Sequence, residues 1–511
     1  MIRYRFGRAL PALLLCLAAP LAAASTVRGG SVAEPLTLDP ARAWDDTSAF
    51  YVANLYDTLV RLDPRSLSIV PHLASHWQTS PDGLTWTFHL RRNVRFHDGT
   101  PFNADAVVFS FQRQMDPANP RRREEFPLFY EIFTLLAEVR RLDAQRVQFV
   151  LQEPFFPFLA ALTSDCAAIV SPAAVRKYGA DFARRPVGTG PYKLDSWLPG
   201  KRLVLAANPG YWRGRPQIDE YVDTIAPQAE LLGKHFEEGR IDILTTYSIS
   251  RMASYRKQDW VRISSEPLYS VTFLLINSSR PALRSRGVRR ALAHAWDPRI
   301  LKLVYQDHVL PIHSLLPPGL APAGAGARPP LDFSLDKARQ LLKQEGWTAG
   351  RPLEMLVRRQ EGLFFQVLSM YARNLKQAGV PLRLTRLEPD EYSRRVAAND
   401  YDLAYSSWIA DYPDPDSMLY PMLSRELEQQ GFATAASSQR RDLQERLVGA
   451  RRESDPRKRL RTYLEIDRAL VGDGLILPVY QPKRVILFNR KLGGIGPNPL
   501  GKLLLYDLQA P

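Results

Sequence analysis

Two cysteines among 511 residues leave no room for a disulfide framework. Cys16 lies in the apolar run that opens the chain, so the remainder holds Cys166 alone and forms no internal disulfide. A chain of this length can bury a large core without one. The eight histidines are scattered. His72 and His76 are four apart, a metal-capable spacing on a helix, but Pro71 opens the segment and no Glu stands between them as in zinc proteases. There is no Gly-x-Ser-x-Gly elbow and no cysteine with a catalytic partner. Asp414 and Asp416 resemble the paired carboxylates of glycosidases, but two acids in one turn carry little weight. Gly188-Thr189-Gly190 lacks the third glycine, the lysine and the following helix of a phosphate loop. Its glycines are better suited to a tight backbone crossing. These absences leave no basis for an enzyme, a metal site or a cofactor. No apolar run after residue 24 approaches membrane-spanning length.

What is present begins with Arg3, Arg5 and Arg8, an apolar run from Ala9 and the small residues Ala22-Ala23-Ala24. Together they read as a secretory signal peptide over residues 1–24. Leu15 before Cys16 is a poor context for lipid modification, so a released periplasmic protein is expected, without a lipid anchor at Cys16. Loss of residues 1–24, with three arginines and no acid, lowers the net charge from +15 to +12. That surplus is scattered, as in Arg121-Arg122-Arg123 beside Glu124-Glu125, and points to a solvated surface with no nucleic-acid partner.

About 487 mature residues imply two or three domains. Phe50, Ala53, Asn54 and Asp57 recur at helical spacing over Ser48–Leu59. Leu84, Trp86, Phe88 and Leu90 alternate with Thr85, Thr87 and His89 as a half-buried strand. Phe96 to Thr100 is a turn, and Asn103 can cap the helix after it. Val147, Phe149 and Leu151 alternate again. The second half changes period. A helix capped by Ser334 precedes a strand at 353–357, a helix at 363–378, a strand at 382–387, a helix at 390–398 and a strand at 401–407. Strands alternating with helices predict an α/β, doubly wound unit with parallel strands. Ligands of such sheets sit beyond the carboxyl ends of the strands. At that end stand Trp408, Asp411 and Tyr412, held by Pro413 and Pro415 on an extended or turn path. An acid between aromatic faces is suited to a cation. Asp414 and Asp416, in the same turn, are expected to face solvent.

Short motifs in order along the chain carry a resemblance. They are Leu38-Asp39-Pro40, Leu73 to Trp77, Asp82 to Phe88, Val94 to Phe102, Ala104 to Val107, Gly188 to Tyr192, Asn208-Pro209 with Tyr211-Trp212, Gly239 to Asp242, Val288 to Leu292 and Trp408 to Asp416. Together they resemble the family 5 extracellular solute-binding proteins of bacterial ABC importers, which include oligopeptide- and dipeptide-binding proteins. The resemblance implies a two-lobed periplasmic binding protein of the cluster C type, with an extra domain and a ligand cleft between lobes. It places domain I at 25–60, 186–268 and 484–511, domain II at 61–185 and domain III at 269–483. It assigns the ligand's α-ammonium to Asp411, a side-chain pocket to Trp408, and backbone pairing to Ser407 and Ile409. Tyr412 lies in the same motif, and Glu34 matches an early cleft residue more loosely. Tyr405 stands where oligopeptide binders can carry Arg, which leaves open how a ligand carboxylate is held.

The expected function is a monomeric periplasmic receptor that binds a short peptide and delivers it to ABC transporter membrane permease subunits. The alternatives are the same fold binding a nickel chelate, haem, opine or sugar, or a secreted hydrolase. The exported chain is expected to begin at Ser25 or within a few residues of it. Its intact mass checks this, and a diacylglycerol adduct on Cys16 would contradict it.

Overall fold

The computed structural model describes residues 25–509 except 44, 64–65, 117–131, 323–331, 349, 360, 425–439 and 497. The expected signal peptide with Cys16, the charged run 121–125 and most of the Pro/Gly/Ala stretch 321–330 lie outside the described residues. Three larger sheets organise the rest. A four-stranded sheet is ordered Thr26–Ser31, Glu220–Ile225, Arg202–Ala207, Tyr192–Leu198, with only the first pair parallel. An antiparallel four-stranded sheet is ordered Ala74–Thr79, Thr85–Leu90, Arg146–Leu151, Leu136–Asp143. In Thr85–Leu90 the side chains of Trp86, Phe88 and Leu90 are buried and those between are half-buried, as the alternation predicts.

The third sheet joins two lobes. Its path runs Ile243–Leu244, Ile476–Asn489, Ser270–Ile276, Leu403–Ile409, Leu353–Arg358, Leu382–Leu387. The last three strands are mutually parallel, with helices Gly362–Gln377 and Pro389–Ala397 between them in sequence. The expected parallel unit is therefore present, but as one flank of a mixed sheet, because Ser270–Ile276 pairs antiparallel with Leu403–Ile409 over seven residues.

Strand Ile476–Asn489 is fourteen residues long and serves two cores. Ile476, Leu477 and Val479 pack with residues 269–479. Val485 and Leu487 pack with Leu232, Phe236 and Tyr255, while Ile486 and Phe488 join the core of the first sheet. Its two halves pair with Ser270–Ile276 and Val261–Pro267, which are separated only by Leu268 and Tyr269. Two adjacent segments thus cross between the lobes.

Local signals place several elements. Asn103 Oδ1 accepts from Ala106 N (3.1 Å) and starts helix Ala104–Met115. The first helix starts earlier than the periodicity suggests, at Asp46, because Asp45 accepts from Ser48 N. It ends at Leu55, not Leu59, where Tyr56 turns extended. A Cβ on Gly188 would lie 2.2 Å from Leu55 O, and one on Gly190 would lie 2.5 Å from Leu55 C. The expected close backbone crossing is therefore real, and only glycine fits it.

That crossing surrounds Asp57, which is 3% exposed. Its carboxylate accepts from Thr189 Oγ1 (2.8 Å), Tyr211 Oη (3.0 Å) and Trp212 Nε1 (2.9 Å). His72 Nε2 lies 3.3 Å away, and burial holds that imidazole down to about 4, against the pull of Asp57. Three segments distant in sequence, at His72, Thr189 and Tyr211-Trp212, therefore meet on one buried acid. Asp57→Ala leaves three donors without an acceptor and is expected to cost about 3–5 kcal/mol. Asp105→Ala breaks only the exposed ion pair with Arg141 (2.9 Å) and should cost at most about 1 kcal/mol. Urea unfolding of the two variants measures the difference.

Candidate functional site

Strand Leu403–Ile409 delivers its carboxyl end to a cavity of about 570 Å³ between the lobes, within the size range of ligand pockets. Ala410 N donates to Tyr269 O, so the even-numbered backbone groups face Ser270–Ile276. The odd-numbered groups face the other edge. There Tyr405 N donates to the Tyr392 hydroxyl (3.1 Å), which in turn donates to Tyr405 O. Beyond the Met355–Leu403 pairing, no described strand covers that edge, and Ser407 and Ile409 present their backbone along it. Ser407 is exposed, and Ile409 lines the cavity.

The loop after the strand is held by Ser417, which is fully buried. Ser417 Oγ accepts from Asp411 N (2.9 Å), and Ser417 O accepts from Trp408 Nε1 (2.7 Å). Ser164 Oγ, from the opposite side of the cleft, donates to Asp411 O (3.2 Å). The Asp411 carboxylate lines the cavity, and its Oδ2 is buried with no hydrogen-bond partner among the described residues. Burial pushes its carboxyl up to about 7, with Lys502 pulling down and Asp165 pushing up. Lys502 is not available to neutralise it, because its Nζ pairs with Asp165 Oδ1 at 2.7 Å.

The other sequence candidates sit differently. Trp408 is half-buried beside Asp411 but is not among the cavity-lining residues. Tyr405 is buried between Phe364 and Tyr392, with ring centroids 4.9 and 5.5 Å away. Tyr412 is fully buried in the core of residues 59–169, across the cleft from its own strand. Glu34 Oε2 accepts from Trp197 Nε1 (3.1 Å) and Gly200 N (3.3 Å) and does not line the cavity, whereas Gly30, Ser31 and Val32 do.

The solvent-facing placement of Asp414 and Asp416 is corrected. Asp414 is 5% and Asp416 0% exposed. Asp416 accepts from Tyr412 Oη and Tyr463 Oη at 3.0 Å each and pairs with Arg451 Nε at 3.2 Å. Asp414 pairs with Arg459 at 2.9 Å. Apart from Tyr412, their partners lie tens of residues away, so spacing within the turn could not reveal them. Both anchor the loop, and neither is among the residues that line the cavity.

Sequence reasoning missed the charged wall opposite Asp411, formed by Asp46, Asp165, Lys483, Arg484 and Lys502. One signal was readable: Lys483-Arg484 interrupts an otherwise apolar strand whose later residues are buried. Among the described residues no group of three or more His, Cys, Asp or Glu is placed to hold a metal ion, and no helix is long and apolar enough to cross a membrane.

Residues 68–428 match the model of the bacterial extracellular solute-binding proteins, family 5 middle region. The chain is 29% identical to the dipeptide-binding protein of Escherichia coli, covering 88% of this chain and 87% of that one. It is 28% identical to di/tripeptide-binding protein 2 of Pseudomonas aeruginosa, covering 92% of each. Its fold superposes with a TM-score of 0.79 on an ABC transporter-associated periplasmic binding protein of Helicobacter pylori in complex with the peptide STSA. That match is at 25% identity over 95% of this chain and 98% of the other. With two lobes joined by paired crossing segments and a family match over most of its length, the chain belongs to the bacterial extracellular solute-binding proteins of family 5.

Proposed function

We propose that the protein is the periplasmic substrate-binding component of an ABC-type importer, which takes a short peptide by its α-ammonium on Asp411 and delivers it to membrane permease subunits. It acts as a monomer and turns over no substrate. The observation that carries this reading is the buried, unpartnered Asp411 Oδ2 at the mouth of a strand whose far edge is open. A carboxylate removed from water without a partner is penalised by several kcal/mol. A ligand ammonium removes that penalty, while a neutral solute does not. The open edge at Ser407 and Ile409 supports an extended ligand added as a strand, with affinity drawn from the main chain. The names of the two curated relatives support the same class. Trp408, Tyr412 and Tyr405 act behind the ligand, holding the loop and the strand. In this reading domain I spans 25–60, 186–268 and 484–511, domain II 61–185 and domain III 269–483.

The raised carboxyl sets a pH signature. In the ligand-free protein Asp411 is largely protonated below pH 7 and ionised above it. An ammonium binds only the ionised form, so binding releases a proton below pH 7. Affinity for a peptide retained from a mixture of L-dipeptides and L-tripeptides should rise about tenfold per pH unit up to pH 7, then level off. Asp411→Asn removes the slope and weakens binding by about 3–5 kcal/mol, roughly two to four orders of magnitude. Calorimetry on the retained peptide and its N-acetylated form checks this. Acetylation should hurt the native protein badly and the variant much less. Equal binding of both forms by the native protein would point to an amine-free solute.

A further inference from the structure

His72 and His76 stand at a metal-capable spacing in the sequence, but the fold separates them and gives His76 another partner. His72 is buried beside Asp57, whereas His76 is exposed on the edge strand Ala74–Thr79. A β-bulge sets its place. Ala74 pairs with Leu90 and His76 with His89, so Ser75 is the extra residue between them. Such bulges re-aim side chains. Here the shift stacks the His76 ring on that of half-buried His89, with centroids 4.0 Å and planes 15° apart. The extra residue also fixes a tautomer. Ser75 Oγ donates its single proton to His89 O at 3.1 Å. It can then only accept from His76, whose Nδ1 lies at 3.1 Å. His76 is therefore protonated on Nδ1, and its Nε2 carries the bare lone pair. A hydrogen bond at the other ring nitrogen is how proteins orient metal-binding imidazoles. Among the described residues no hydrogen bond or ion pair engages His76 Nε2 or either ring nitrogen of His89.

We propose that His76 and His89 bind one borderline divalent transition ion, Cu2+ most tightly, on the exposed face of this sheet. Nitrogen–metal bonds of about 2.0–2.1 Å allow the two nitrogens to stand at most about 4 Å apart. Rings stacked with centroids 4.0 Å apart meet this by small turns about their soft Cβ–Cγ bonds. Two neutral imidazoles suit Cu2+, Ni2+ and Zn2+, in a general order that places Cu2+ first, and do not suit Mg2+ or Ca2+. Arg146, opposite His89, pairs with Asp143 at 2.6 Å, so its charge is balanced and that acid is not offered as a third ligand. Water fills the remaining positions. Ser75, His76 and His89 do not line the cavity at Asp411, so the ion site is separate from solute binding. A bound ion clamps the edge strand to Thr85–Leu90 and adds to the stability of the folded state.

The test titrates the full mature protein, untagged, with CuCl2 by calorimetry and records the electron paramagnetic resonance of the one-to-one complex. One strong site per chain is expected, with hyperfine lines from two imidazole nitrogens. His76→Asn or His89→Asn should each weaken that site by about 100-fold or more, since two ligands on one frame act together. The nitrogen count should fall to one. Ser75→Ala should weaken binding about tenfold while two nitrogens remain, which separates orientation of the ring from ligation. ZnCl2 should bind more weakly at the same place, and CaCl2 not at all. Without metal, the three variants should melt with the native protein. CuCl2 should raise the melting temperature of the native protein far more than that of either histidine variant. A native spectrum with fewer than two imidazole nitrogens overturns the proposal, as does an affinity that neither histidine substitution changes. The native spectrum decides this even where a variant does not fold.

Discussion

One strand holds the two lobes to a common frame. Ile476–Asn489 must satisfy its backbone along fourteen residues, and it does so by pairing first with Ser270–Ile276 and then with Val261–Pro267. Its side chains change core midway, from residues 269–479 to the apolar clusters of the other lobe. A sheet ladder resists stretching but permits twist, so the lobes can rock about residues 268–270 and 482–484 without losing these bonds. The same strand carries Lys483 and Arg484 into the cavity, which ties the chemistry of one wall to the segment about which the lobes would move.

Around this frame, buried acids do the positioning. Asp57 gathers Thr189, Tyr211 and Trp212, and the glycines on either side of Thr189 exist because Leu55 passes at contact distance. Asp416 does the same for the loop after Leu403–Ile409, holding Tyr412, Tyr463 and Arg451. Arg451 then lies over Tyr420 at 3.7 Å and over Phe155 at 4.5 Å, so the loop is fastened to a residue of the facing lobe. Each acid is fully used by hydrogen bonds or a cation, which is the condition under which a buried charge is tolerated.

Much of the fold was legible because it follows local rules. The alternation of Thr85–Leu90, the cap at Asn103 and the helix–strand periods of residues 335–409 concern residues within one or two turns of each other. The parallel unit was readable for the same reason. The antiparallel strand that completes its sheet, Ser270–Ile276, was not, since every one of its residues is buried and no period shows. Of the residues expected to bind ligand, only Asp411 and Ile409 line the cavity. Arg484, Lys502 and Asp165 come from distant segments, and a single charge in a sequence does not announce which cavity it will face. Asp414 and Asp416 misled because a proline-rich acidic turn has the composition of a surface loop, while their burial is decided by Arg459, Tyr463 and Arg451.

The contrast between these acids separates structure from recognition. Asp57, Asp402 and Asp416 are all nearly inaccessible, and each meets two or more partners from the protein itself. Asp411 is similar in chemistry and in the burial of its Oδ2, yet that oxygen has none. The fold supplies its backbone with partners on both sides, Ser417 at the N–H and Ser164 at the carbonyl, so the loop is already rigid before anything binds. Little conformational entropy remains to be lost on binding. What is withheld is only the counter-charge. A protein that needed Asp411 for stability would have paired it; leaving it unpaired lowers the stability of the empty state, and in the function proposed above an arriving cation is the component that completes the site.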